Sequence, residues 1–77
     1  MKKVPMTRVV LDEFSDLALL TDEDKEILRT RALGWSGVKQ CREFCISQST
    51  LTRRIEEMRI KYEYLSQRGY LPPNVKI

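Results

Sequence analysis

The chain has 77 residues, 42% of them hydrophobic and 32% charged, which is typical of one small globular domain rather than a disordered chain. No apolar run approaches the roughly 20 residues that a membrane span needs, and the N-terminus lacks the apolar stretch of a signal peptide. We therefore expect a cytoplasmic protein that makes no contact with a membrane.

The sequence offers little material for catalysis. Histidine, the commonest general base and the commonest metal ligand, is absent. Cys41 and Cys45 have no further Cys or His with which to complete a tetrahedral zinc site, and we expect both to be small buried residues. Glycine-rich phosphate-binding and nucleophile motifs are also absent. The sequence therefore predicts no enzymatic activity, no metal site and no cofactor.

The charge is distributed unevenly along the chain. The formal net charge is +3, from 14 Lys and Arg against 11 Asp and Glu. Residues 35–54 by themselves carry a net charge of +3, because only Glu43 offsets four basic side chains in that block, namely Lys39, Arg42, Arg53 and Arg54. A local basic patch of this kind indicates an anionic partner better than the modest overall charge does.

The first half of the chain predicts an arm followed by two helices. Residues 1–8 are basic and interrupted by Pro5, which predicts a flexible arm. A first helix is expected over about 10–19. The second, over about 22–33, is better marked, because Thr21 can act as its N-cap, three acidic residues follow, and Gly34 suits the left-handed position after its end.

The second half predicts two further helices and a tail. Ser36 can cap a short helix over about 37–44, with Val38, Cys41 and Phe44 facing inward. Ser47 can cap a long helix over about 48–67, whose apolar residues form one stripe at helical spacing: Leu51, Ile55, Met58, Tyr62 and Leu65. Two prolines, Pro72 and Pro73, predict an extended tail over 70–77. We expect Trp35 to plug the core after the second helix.

The segment from Leu20 to Ser36 resembles the opening of sigma-factor region 4 and LuxR-type domains, where an acidic-capped helix ends in Gly, a large apolar residue and Ser. Residues 36–55 resemble the helix-turn-helix itself: a small residue in the first helix, a large apolar residue closing it, an aliphatic-Ser turn and two apolar residues four apart in the second helix. The matching positions are Cys41, Phe44, Ile46-Ser47, Leu51 and Ile55. The resemblance covers about 21–60.

Two positions depart from this family pattern. The turn usually begins with glycine, because its backbone favours positive φ, and Cys45 stands there. An aliphatic residue usually precedes the small one, and Gln40 stands there. The resemblance nevertheless implies an all-α domain, a three- to four-helix bundle over about 9–69. Its helix-turn-helix would span about 36–60, with a long C-terminal recognition helix.

A helix-turn-helix implies that the recognition helix enters the major groove of double-stranded DNA. On the long helix, we expect base contacts from the residues opposite the apolar stripe and in the first turn: Gln48, Ser49, Thr52 and Arg53. Backbone phosphates would be held by the surrounding hydroxyl and basic groups: Ser36, Lys39, Arg42, Ser47 and Arg54. Glu56 and Glu57 would repel phosphates, so groove contact should stop near Arg54.

The interpretation of function leaves alternatives open. Sequence-specific DNA binding as a small transcriptional regulator is the first, with RNA polymerase as a further partner to consider. The domain could instead be the DNA-docking subunit of a recombinase, transposase or phage terminase system, or a protein-interaction adaptor that binds no DNA. Ile60 and Tyr64 lie outside the stripe. Either the N-terminal segment with Val9, Val10 and Phe14 covers them, or a homodimer forms there.

Overall fold

The computed structural model describes residues 3–77, which form four α-helices and one pair of short strands. The elements in chain order are β1 (Val4–Pro5), α1 (Arg8–Ala18), α2 (Asp22–Ala32), α3 (Gly37–Phe44), α4 (Gln48–Gln67) and β2 (Val75–Lys76). The predicted all-α helical bundle is confirmed. No helix in this part of the chain is both long and apolar enough to cross a membrane.

Hydroxyl side chains begin all four helices. Thr21, Ser36 and Ser47 each accept a hydrogen bond from the backbone N–H three residues later, which satisfies one of the amides that a helix start leaves without a partner. Thr7 does the same for α1. No cap was predicted at Thr7, so the predicted start of this helix lies two residues after the observed one.

The predicted apolar stripe of α4 forms the centre of the core. Leu51, Ile55, Met58 and Tyr62 are buried, and Leu65 packs at the edge of the cluster. The ring of Phe14 from α1 meets that of Tyr62 edge-on, with the ring centroids 5.1 Å apart, a favoured geometry for aromatic pairs. This contact places α1 against the C-terminal half of α4.

The two chain ends differ from the prediction of a flexible arm over 1–8 and an extended tail over 70–77. In the part that the structure describes, β1 and β2 pair in parallel, with Val4 opposite Val75. Met6, Leu71 and Val75 are buried in the core. Burial of apolar side chains is favourable in free energy, so the N-terminal and C-terminal segments pack together. Met1 and Lys2 of the predicted arm lie outside the described residues.

The predicted inward face of α3 is wrong at one position. Val38 is 66% exposed, and the fully buried residue of this helix is Gln40. The Gln40 amide nitrogen donates to the Ile27 carbonyl oxygen at 2.9 Å and to Thr30 Oγ1 at 3.0 Å, both on α2. These hydrogen bonds offset the cost of burying the amide, and they rotate α3 so that Val38 faces outward.

Trp35 is only partly buried, which differs from its predicted place as a core plug. The Lys39 ammonium lies 4.3 Å from the centroid of its ring, a cation–π arrangement. The indole therefore belongs to the surface between α2 and α3.

Candidate nucleic-acid interface

The turn between α3 and α4 begins with a residue of positive φ. Cys45 adopts a left-handed conformation with φ 55° and ψ 44°, and its N–H donates to the Cys41 carbonyl. The chain then returns to an extended conformation at Ser47, the N-cap of α4. The family pattern places glycine at the position of Cys45 because a side chain is strained there. In this chain Cys45 adopts that conformation, and it is exposed while Cys41 is partly buried, so the prediction that both are buried is wrong.

The N-terminal half of α4 presents an open polar face. Ser49, Thr52 and Arg53 are all exposed, and together with Glu56, Glu57 and Ile60 they line one shallow surface. The C-terminal segment lies elsewhere, since Asn74 and Val75 line a crevice with Tyr62 and Ser66 on the later turns of α4. All four predicted base-reading residues therefore share one accessible surface, since Gln48 is exposed and lines it as well.

Gln48 lies on the same surface as the other three predicted base-reading residues, and its side chain also contacts α3. Its Oε1 accepts a long hydrogen bond from Cys41 Sγ at 3.5 Å. Gly37 leaves room for it, because a Cβ at Gly37 would come within 3.3 Å of Gln48 Nε2. The amide thus contacts α3 while Gln48 remains exposed at the start of α4.

Two of the predicted phosphate-binding cations are exposed and have no carboxylate partner in the described residues. These cations are Lys39 and Arg42, both on α3. Arg53 on α4 is likewise without a carboxylate partner in the described chain. Side chains of this kind are available for an anionic partner.

Arg54 is placed differently from its prediction as a phosphate contact. Its Nη1 lies 2.7 Å from Glu23 Oε1 and 3.5 Å from Asp24 Oδ1, at the start of α2. The attraction between these charges holds α4 against α2 and partly neutralises the arginine. The interaction joins residues about 30 apart in sequence, so spacing within one helix could not have predicted it.

The two capping serines use their hydroxyl oxygens within the protein. Ser36 Oγ accepts from the Lys39 N–H at 3.1 Å. Ser47 Oγ accepts from the Thr50 N–H at 3.2 Å and lies 2.9 Å from Thr50 Oγ1. Both residues are exposed, but their main role in this structure is to begin α3 and α4.

Ile60 and Tyr64 continue the same side of α4 beyond the polar face. They are 62% and 55% exposed, and the Arg68 guanidinium lies 4.8 Å from the Tyr64 ring centroid. Of the two alternatives for these residues, coverage by the N-terminal segment is contradicted, because Phe14 is fully buried against Tyr62 and Val9 is exposed. The side chains of α1 that reach α4 meet its buried stripe instead.

No protein-family model matches the sequence, and comparison with curated proteins and with solved structures finds no significant match.

Proposed function

We propose that this protein binds double-stranded DNA in a sequence-specific manner as a small transcriptional regulator, with the first two turns of α4 in the major groove. The observation that carries the proposal is the accessible polar face formed by Ser49, Thr52 and Arg53 directly after the left-handed turn at Cys45. The N-terminal residues of a recognition helix are the ones that reach base edges.

Specificity in this proposal comes mainly from Arg53. An arginine can donate two parallel hydrogen bonds to guanine O6 and N7, and the Arg53 guanidinium has no competing carboxylate in the described chain. Ser49 and Thr52 have shorter side chains and would contact the bases on either side of the one that Arg53 reads. Gln48 would read a base only if its contact with Cys41 were released.

Affinity in this proposal comes from Lys39 and Arg42 on α3, which flank the groove-facing helix. Each cation that neutralises a phosphate releases counterions, which makes binding sensitive to salt. Arg54 is not assigned to a phosphate contact in this proposal. Its pairing with Glu23 and Asp24 instead supports the orientation of α4.

Selection of bound duplexes from a random pool tests the proposal. The expected result is a recovered consensus with at least one strongly preferred guanine, assigned to Arg53. A consensus with two-fold symmetry and half-sites about 34 Å apart would indicate a homodimer, for which the exposed Ile60 and Tyr64 are the candidate contact. A pool that stays random after repeated rounds would reject sequence-specific binding.

The alternative functions make different predictions in the same assay. A DNA-docking subunit of a recombinase, transposase or terminase also selects duplexes, and only its association with a separate catalytic partner would distinguish it. A protein-interaction adaptor would retain no duplex at low salt. Contact with RNA polymerase is a further proposal, tested by whether the polymerase and this protein bind a promoter duplex cooperatively.

A further inference from the structure

A second concave surface lies away from the polar face of α4. This cleft, called here the α2–β2 cleft, lies between β1, the last turn of α2, the turn before α3, and the residues around β2. Its volume is about 490 Å³, within the range of small-molecule sites. It shares no lining residue with the surface formed by Ser49, Thr52 and Arg53.

The α2–β2 cleft combines apolar and cationic groups. Met6 and Leu28 are buried residues that contribute apolar atoms, and the partly buried Trp35 adds an aromatic ring. Arg31 and Lys76 provide positive charge, and no acidic side chain lines the cleft. Apolar walls with a small number of polar groups that fix orientation are typical of ligand sites.

Neither cation of the cleft, Arg31 or Lys76, has a carboxylate partner in the part of the chain that the structure describes. Arg31 Nη1 makes one long hydrogen bond, 3.5 Å, to Gln40 Oε1, so other N–H groups of its guanidinium remain available. A guanidinium presents its donors in a planar fork that matches a carboxylate or sulfonate.

We propose that the α2–β2 cleft binds a small organic anion with an apolar body, such as an aromatic or aliphatic carboxylate or sulfonate. A bare inorganic anion would gain nothing from Met6, Leu28 and Trp35. A neutral apolar molecule would leave Arg31 and Lys76 without a partner. The proposal does not depend on DNA binding, because it rests on a separate surface and a separate set of residues.

Trp35 provides the signal for the test, because it is the one tryptophan in the chain and lines the cleft. The probe is 8-anilinonaphthalene-1-sulfonate, with energy transfer from Trp35 to the bound probe as the signal. We expect saturable one-to-one binding to the folded protein. The neutral counterpart N-phenyl-1-naphthylamine should bind at least about tenfold more weakly, since it lacks the charge-assisted hydrogen bonds. Inorganic sulfate at the same concentration as the probe should not displace it.

Three variants separate the cleft from general surface charge. Arg31→Gln and Lys76→Gln should each weaken probe binding by about tenfold. Lys61→Gln makes the same change in net charge at an exposed site on α4 and should leave binding unchanged. Lys76 is itself exposed, so its variant decides the question even if Arg31→Gln fails to fold.

Three outcomes would overturn the proposal. The neutral counterpart could bind as tightly as the sulfonate, inorganic sulfate could displace the probe, or Lys61→Gln could weaken binding as much as Lys76→Gln. Displacement by sulfate would indicate a simple phosphate-type site at the cationic rim. Equal binding of the neutral molecule would indicate an apolar surface without charge recognition.

Discussion

Arg54 Nη1 on α4 lies 2.7 Å from Glu23 Oε1 on α2, and the same nitrogen lies 3.5 Å from Asp24 Oδ1. The acidic start of α2 therefore has two roles. It places negative charge where the helix dipole favours it, and it holds the end of the second turn of α4. The orientation of the proposed recognition helix depends in part on this contact.

We expect Arg54→Gln to lower the free energy of unfolding by about 0.5–1 kcal/mol, because the pair is partly solvent-exposed and screened. Urea denaturation measures the change, and Glu23→Gln should produce a similar loss. The double variant should then lose less than the sum of the two single changes. Fully additive losses would show that the two side chains do not interact in solution.

Arg53→Ala tests the assignment of base reading. This variant should weaken the free energy of binding to the selected duplex by about 1–3 kcal/mol and relax the base preference at one position. Arg68→Ala is the matched control, since Arg68 follows the same helix about 22 Å further along at 1.5 Å per residue. Binding titrations against a panel of single-base variants measure both effects. An equal loss of affinity on every sequence would assign Arg53 to the DNA backbone.

Gln40 should make a large contribution to stability for a polar residue. Gln40→Ala removes a fully buried side chain, its two short hydrogen bonds to Ile27 and Thr30 and the longer one from Arg31, so we expect a loss of about 2–3 kcal/mol. Gln40→Met keeps most of the volume and removes only the hydrogen bonds, which should cost about 1–2 kcal/mol. Chemical denaturation of both variants checks the order. If Gln40→Met were as stable as the wild type, the hydrogen bonds would contribute nothing.

The raised pKa of the buried Tyr62 phenol predicts how the free energy of unfolding changes at high pH. Burial, with a smaller effect from the Glu13 carboxylate, raises the pKa of this phenol above the ordinary value of 10.0. The neutral phenol donates to the Pro72 carbonyl oxygen at 2.7 Å. Its contribution to stability is therefore fully present below the unfolded pKa of about 10 and is lost as the pH rises through the folded pKa.

Tyr62→Phe is the variant that isolates this effect. It should cost about 0.5–1.5 kcal/mol at neutral pH, because the hydrogen bond to Pro72 is lost. It should also flatten the fall in stability above pH 10, measured by denaturation at a series of pH values. Tyr70→Phe is the control, since Tyr70 is 59% exposed. Parallel curves for wild type and Tyr62→Phe above pH 10 would contradict the assignment.

The sequence predicted the helices well because their signals are local. Ser36 and Ser47 are capping residues at the starts of α3 and α4, whose observed bounds agree with the prediction, and the stripe from Leu51 to Leu65 has one unambiguous period. The left-handed turn at Cys45 was predicted from its place in the family pattern and is observed.

The features that the sequence did not predict depend on contacts between distant residues. Pairing of Val4 with Val75 joins segments at opposite ends of the chain, and neither two-residue strand has a periodic pattern of its own. Gln40 faces inward because α2 offers two acceptors, and only the folded arrangement places them there. The engagement of Arg54 by Glu23 has the same origin.

The dependence of duplex affinity on salt tests the central claim most directly. If Lys39 and Arg42 each neutralise one phosphate, the logarithm of the affinity should fall linearly with the logarithm of salt concentration, with a slope of about −1.8 or steeper. Fluorescence anisotropy of a labelled duplex across a salt series measures it, and Arg42→Gln should reduce the steepness by about 0.9 while Arg54→Gln leaves it unchanged. A slope near zero, or no binding at the lowest salt, would contradict DNA recognition by α4.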